Sequence, residues 1–303
     1  MPGDNPAPSE QTARVPPYEL QWGERELVDV DGVGIHTEVA GPVGSGPAIV
    51  ALHGFCSGTF TWAGLGPLLS PRRRLVAWDR PPFGRSDRPP GRPGPDDVYG
   101  LPAELRRLGA LVDRLVGDAP VVFLGHSAGS LLALQVALAG TVPVAGLVLI
   151  APVLAGGPPQ PVRTLSRLPG AGAVGAHAVR VGVLGAAEAL RRGTRHPSPL
   201  TDAVADETGR VLRRPGTAAA LWHLTCTWER PDVVAHLGDV DVPAVVIGGA
   251  NDRIVSPAQH RAVADGLGAP LHLLPDAGHT PHAQRPEAVA DLVEGFVADL
   301  GAR

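Results

Sequence analysis

Ser127 sits in the pentapeptide Gly125-His126-Ser127-Ala128-Gly129, between the apolar run Val121-Val122-Phe123-Leu124 and the helix-length stretch Ser130 to Ala139, which stops at Gly140. Strand, sharp turn and helix in that order strain the serine backbone and lift its hydroxyl clear of a sheet edge. A side chain at Gly125 or Gly129 would collide as strand and helix approach each other. Ala128 is small, so its N–H can face a substrate oxygen from the first helical turn, where the positive end of the helix dipole lies. A hydroxyl is a poor nucleophile at neutral pH. It needs a base to take its proton, and the base needs a carboxylate to orient it.

The carboxylate candidate is Asp252, just past the apolar strand pattern Val245-Val246-Ile247-Gly248-Gly249. The Asn251-Asp252 pair is also a plain turn signal. Asp241 and Asp276 are rivals, but Asp241 precedes its strand and belongs on the opposite rim. The base candidate is His279, after the last strand pattern and before the last helix. The chain holds 11 histidines, so one alone carries little weight. His53 and His126 flank motif glycines and read as loop holders. His282 is the competitor and reads as a loop or helix-start residue. A His279/His282 metal pair lacks a third ligand nearby, so no metal is expected. Read alone, G-x-S-x-G is equally a glycine–serine turn between two core elements; its strand–helix context separates the two readings.

These residues need a scaffold that delivers them to one rim. Glu26–Val30 and Ile35–Val39 read as strands around an Asp31-Gly32 hairpin turn. Ala48–Leu52, Arg74–Trp78, Val121–Leu124, Val144–Ile150, Val242–Gly249 and Pro270–Leu274 read as further strands, several apolar throughout, as strands buried on both faces are. Helices are expected at Trp62–Leu69, Leu101–Val116, Ser130–Ala139, Pro257–Gly266 and Pro286–Leu300. Alternating units of this kind predict an α/β fold, a mostly parallel, doubly wound sheet covered on both faces. The alternation breaks at 156–236, rich in Ala, Gly, Arg and Pro, which reads as an inserted helical cap. The expected organisation is a flexible tail at 1–25, a core at 26–155 and 237–303, and the cap at 156–236.

Composition narrows the function classes. The chain has 303 residues, 44% hydrophobic and 18% charged, with a formal net charge of −4, which gives no electrostatic case for nucleic acid. All basic side chains are Arg. Two cysteines, Cys56 and Cys226, are too few for a disulfide framework. The Pro-rich start lacks the apolar core of a signal peptide. No stretch is apolar enough to span a bilayer; Gly170–Leu190 carries His177, Arg180 and Glu188. The expectation is a cytoplasmic monomer or homodimer acting on a small molecule, without stable membrane insertion.

The order Ser127, Asp252, His279, together with His53-Gly54-Phe55, the Asp79…Gly84…Ser86 loop, Gly249…Asp252 and Gly278-His279…Pro286-Glu287, resembles the α/β-hydrolase superfamily over about residues 27 to 303. The resemblance implies an oxyanion hole built from the main-chain N–H groups of Phe55 and Ala128, an acyl-enzyme on Ser127, and no cofactor. It covers esterases, lactonases, epoxide hydrolases, dehalogenases, carbon–carbon bond hydrolases and cofactor-free haloperoxidases. Dehalogenases and epoxide hydrolases use an aspartate where this chain has Ser127. Many carbon–carbon bond hydrolases carry tryptophan after the histidine, where this chain has Thr280, and haloperoxidases often carry it where Phe55 stands. A hydrolase of carboxylic esters, lactones or thioesters is the main expectation. A carbon–carbon bond hydrolase, an acyltransferase, a cyclase or lyase with the same triad, and a non-catalytic binding protein stay open. Phe55, Cys56, Trp62, Phe83, Trp222, His223, Cys226 and Trp228 are candidates to line an apolar pocket, with cap-to-core packing the alternative for each.

Overall fold

The computed structural model describes residues 20–44, 46–154, 164, 168, 171–193, 198–227 and 232–301. Most of the expected tail and Trp228 lie outside the described residues. Eight strands form one sheet: β1 (Glu24–Val30), β2 (Val33–Ala40), β3 (Ala48–Leu52), β4 (Leu75–Trp78), β5 (Val121–His126), β6 (Val144–Ile150), β7 (Ala244–Gly249) and β8 (Leu271–Leu274). Their order is β1-β2-β4-β3-β5-β6-β7-β8. The β1–β2 and β2–β4 pairings are antiparallel, and the rest of the sheet is parallel.

Period-two geometry sorts each strand's apolar residues onto two faces. Ala48, Val50, Leu52, Val121 and Phe123 enter one core cluster, while Ile49, Ala51, Val122 and Leu124 enter the other. The first cluster is covered by helices α2 (Leu101–Leu115) and α3 (Ala128–Ala139), with Leu108, Leu111, Leu131 and Leu134 buried in it. The second takes α1 (Gly66–Leu69) through Leu69 and the C-terminal helix through Val289, Val293 and Val297. This is why the strands read as continuous apolar runs.

Between β6 and β7 the described residues form helices α4 (Ala171–Gly193), α5 (Pro199–Leu212) and α6 (Thr217–Thr227). Leu200, Val204 and Val211 of α5 join the core cluster beneath them. Polar ties add to this packing. His223 Nε2 lies 2.7 Å from Asp97 Oδ2, Arg85 meets Glu207 at 2.7 Å, and Arg88 donates to Thr217 Oγ1 at 2.8 Å. After β7 come α7 (Pro257–Leu267), β8, the short α8 (Pro281–Gln284) and α9 (Pro286–Gly301).

One element departs from expectation. The single helix anticipated over Trp62–Leu69 is a 3-10 turn, Thr59–Trp62, followed by α1. Gly64 lies in the turn between them and Gly66 opens α1. Gly64 and Gly66 lie so close to Leu200 and Trp22 that a Cβ would sit 2.5 and 2.7 Å from their side chains. Chain packing there overrides the apolar periodicity.

Candidate active site

Every expected triad residue lies at the carboxyl end of a parallel strand or just beyond it. Ser127 follows β5 and precedes α3, with φ 53 and ψ −118. The left-handed backbone is held by Ser127 N–H donating to Ile150 O at 2.9 Å and by Ser130 N–H donating to Ser127 O at 3.0 Å. The close approach that permits this is severe. A Cβ on Gly129 would lie 2.0 Å from Leu52 O, and one on Gly125 2.6 Å from Ser130 Cα.

His279 Nε2 is 3.1 Å from Ser127 Oγ, and its Nδ1 is 2.9 Å from Asp252 Oδ2. Asp252 Oδ2 is a pure acceptor, so Nδ1 carries the proton and Nε2 presents its lone pair to the serine hydroxyl. The other carboxylate oxygen, Oδ1, accepts from the N–H groups of Ile254 at 2.8 Å and Val255 at 3.0 Å. Burial opposes the charge on Asp252, but the nearby His260 Nε2 and the His279 hydrogen bond outweigh it and hold the carboxyl below its ordinary range. Asp276, the rival, is exposed and paired with Arg285 at 3.3 Å.

Three other histidines buttress this chain of contacts. His126 Nε2 donates to His279 O at 2.9 Å and fixes the backbone that carries the imidazole. His282 does not reach Ser127. It is buried, 2.9 Å from Thr61 Oγ1, with its ring 4.8 Å from that of Trp62 and 4.4 Å from that of His126. Burial, then the neighbouring His279, pushes its pKa down to about 3; burial, His282 and His279 likewise depress His126. Both are therefore neutral struts. His53 Nδ1–H donates to Gly54 O at 2.7 Å, and its Nε2 accepts from Arg80 N–H at 3.0 Å, joining the loop after β3 to the loop after β4.

The remaining candidates divide. A cavity of about 500 Å³ opens over Ser127, and Gly54, Phe55, Cys56, Thr61, Val179, Val204, Leu221 and Ile254 are among its walls. Gly54 brings the loop after β3 against the elbow, since a Cβ there would be 3.1 Å from Ser127 Cβ. Ala128 is the first residue of α3, at the helix end where N–H groups lack intrahelical partners. Burial pushes the Cys56 thiol up to about 12, so it is no rival nucleophile.

Trp62 and Phe83 are fully buried and lie off the cavity wall. Trp62 stacks on His282, and Phe83 supports Phe55 edge-on at 5.1 Å. Trp222 packs on α4, where a Cβ on Gly175 would be 2.1 Å from its Cε2. Cys226 is half-buried on α6, away from the cavity wall, and His223 is taken up by Asp97. What the sequence reading missed is His260 of α7, fully buried, with Nε2 3.3 Å from Asp252 Oδ2. Its only signal is a histidine one helical turn past a capping Ser256, which is no signal in itself.

Among the described residues no group of three or more His, Cys, Asp or Glu is placed to hold a metal ion, and no helix is long and apolar enough to cross a membrane. The arrangement can move a proton from a strained serine to an imidazole braced by a buried carboxylate. Comparison with known proteins supplies the wider setting. The chain is 28% identical over 93% of its length to the Magnesium-chelatase 30 kDa subunit of Rhodobacter capsulatus, covering 95% of that protein. Over 23% of its length it is 43% identical to a fluoroacetate dehalogenase from Burkholderia sp, covering 22% of that protein. Its fold is similar to that of a thermophilic esterase from Thermogutta terrifontis, at TM-score 0.74 and 23% identity, over 92% of this chain and 99% of that one. The model of the alpha/beta hydrolase family matches residues 49–292, and the chain belongs to that family.

Proposed function

We propose that the protein is a serine hydrolase cleaving a carboxylic ester, lactone or thioester of a small, uncharged, apolar substrate. One observation carries the reading: the continuous contact from Ser127 Oγ to His279 Nε2 at 3.1 Å and from His279 Nδ1 to Asp252 at 2.9 Å, opening on an apolar cavity. In this reading His279 accepts the Ser127 proton as Oγ attacks the acyl carbonyl. Asp252 supports the imidazolium. The N–H groups of Phe55 and Ala128 hold the oxyanion, a contribution worth on the order of 10²–10³ in rate per donor. His279 then gives its proton to the leaving group and activates the water that frees the acid. Helices α4 to α6 act as the cap over the acyl pocket, supplying Val179, Val204, Leu221 and Thr225.

Among the described residues the cavity wall holds the histidines His126 and His279 but no Asp, Glu, Lys or Arg. An anionic acyl group would have to be buried there unpaired, at a cost of several kcal/mol. In a panel of p-nitrophenyl esters, neutral butanoate and hexanoate should be cleaved about 100-fold more efficiently in kcat/KM than a succinate half-ester. Equal rates on the anionic ester would contradict the substrate assignment.

A non-catalytic binding role on the same scaffold is the second reading. It draws on the full-length likeness to a protein whose name is that of a magnesium-chelatase subunit. Absence of any turnover across the panel, with no serine adduct, would favour it.

A further inference from the structure

We propose that His260 is a positioning residue for the Asp252–His279 pair, acting through the same carboxylate oxygen that His279 uses. The proposal rests on the serine-hydrolase reading. Ser256 caps α7 in a reciprocal capping box with Gln259, and the two N–H bonds to Asp252 Oδ1 close the preceding loop. The helix therefore starts at a fixed place just past the carboxylate. His260 lies in its first turn, with a side-chain exposure of 0%.

Two observations single this histidine out. The first is its lack of alternatives. Among the described residues neither of its ring nitrogens has an aligned hydrogen bond, and its polar contact is Nε2 to Asp252 Oδ2 at 3.3 Å. Burying an imidazole without a good hydrogen bond opposes folding, and an aliphatic side chain would fill the space better. The second is the room made for it. Gly248 of β7 faces the ring so closely that a Cβ would lie 2.4 Å from His260 Cδ2.

The geometry assigns the ring a job in the carboxylate's coordination. Oδ1 takes two backbone donors, and Oδ2 takes His279 Nδ1–H at 2.9 Å, which leaves one acceptor direction for His260. The 3.3 Å contact is long and off line, so the ring acts as an oriented N–H dipole and a steric stop. It keeps the carboxylate from tilting away from His279. A tilt would move Nε2 off Ser127, and misplacement of reacting groups by about 1 Å can cost up to about 10²-fold in rate.

The test uses the full chain and a fluorophosphonate probe, which needs no knowledge of the substrate. Wild type, His260→Leu and His260→Gln are compared for the limiting labelling rate and for the probe concentration at half-maximal rate. The Leu variant should label about 10- to 100-fold more slowly at saturation with an unchanged half-saturation value. The Gln variant, whose amide nitrogen reaches the place of Nε2, should return to within about 3-fold of wild type. Should the Leu variant not fold, Gly248→Ala keeps the imidazole but drives it off the strand, and the same selective loss is expected. Wild-type labelling in His260→Leu or Gly248→Ala, or a Gln variant as slow as Leu, overturns the proposal while leaving the triad reading intact. Failure of the wild type to label removes the triad reading and this proposal with it.

Discussion

Asp252→Asn should lower kcat/KM by about 10⁴-fold while leaving the protein folded. The two backbone N–H groups at Oδ1 require an acceptor there, so the amide oxygen of the asparagine takes that place. Its NH₂ then faces His279 Nδ1, where the carboxylate oxygen stood at 2.9 Å. Two donors cannot face each other. The imidazole must shed its Nδ1 proton and carry one on Nε2, pointing at Ser127 Oγ. In that tautomer it cannot accept the serine proton. Turnover of p-nitrophenyl butanoate, with circular dichroism to confirm folding, reads the effect. A loss under tenfold would mean that Asp252 does not set the tautomer of His279.

The second large effect is on stability. Asp79 is fully buried at the end of β4, and the loop that follows wraps around it. Its Oδ1 accepts from Thr59 N–H at 2.5 Å, and its Oδ2 accepts from Arg85 N–H at 2.7 Å and contacts His36 Nδ1 at 2.8 Å. Gly84, at φ +55, passes so near that a Cβ would lie 2.2 Å from Oδ2. Asp79→Ala strands the Thr59 and Arg85 N–H groups and leaves buried His36 Nδ1 without its carboxylate contact, which should cost about 3–5 kcal/mol and lower Tm by roughly 10 °C. Burial opposes the charge on Asp79, but the adjacent His36, with His53 and the Arg85 N–H, outweighs it and holds the carboxyl below its ordinary value. The depressed value means that the contribution is present above the unfolded carboxylate pKa and fades as pH falls through the folded one. The gap between wild type and variant should therefore narrow in acid. Urea unfolding at neutral and acid pH checks both parts. A neutral-pH difference under 1 kcal/mol would show that the loop does not depend on this carboxylate.

The elbow was readable because backbone sterics leave a mark in residue type. Glycine is required where Gly129 would otherwise strike Leu52 O, and a serine held at positive φ between a strand and a helix marks the turn. Asp252 and His279 were readable from their place past strand patterns, since parallel strands end on one rim. The pocket was less legible. An aromatic side chain carries the same letter whether it faces a cavity or fills a core. Trp62 went to His282 and Trp222 to the groove at Gly175, and neither partner is predictable from spacing. His260 was invisible for a related reason. A polar residue on a helix reads as exposed, and its burial depends on Gly248, twelve residues earlier and on another element. The packing of Gly66 against Trp22, far away in sequence, belongs to the same class.

The central claim is that Ser127, and no other residue, is made nucleophilic by its neighbours. Incubation of the wild-type chain with a fluorophosphonate, followed by intact mass and peptide mapping, tests it most directly. The expected result is one adduct per chain, on Ser127, absent in Ser127→Ala and at least about 10³-fold slower in His279→Ala. An unmodified wild-type protein, or an adduct placed elsewhere, would contradict the account.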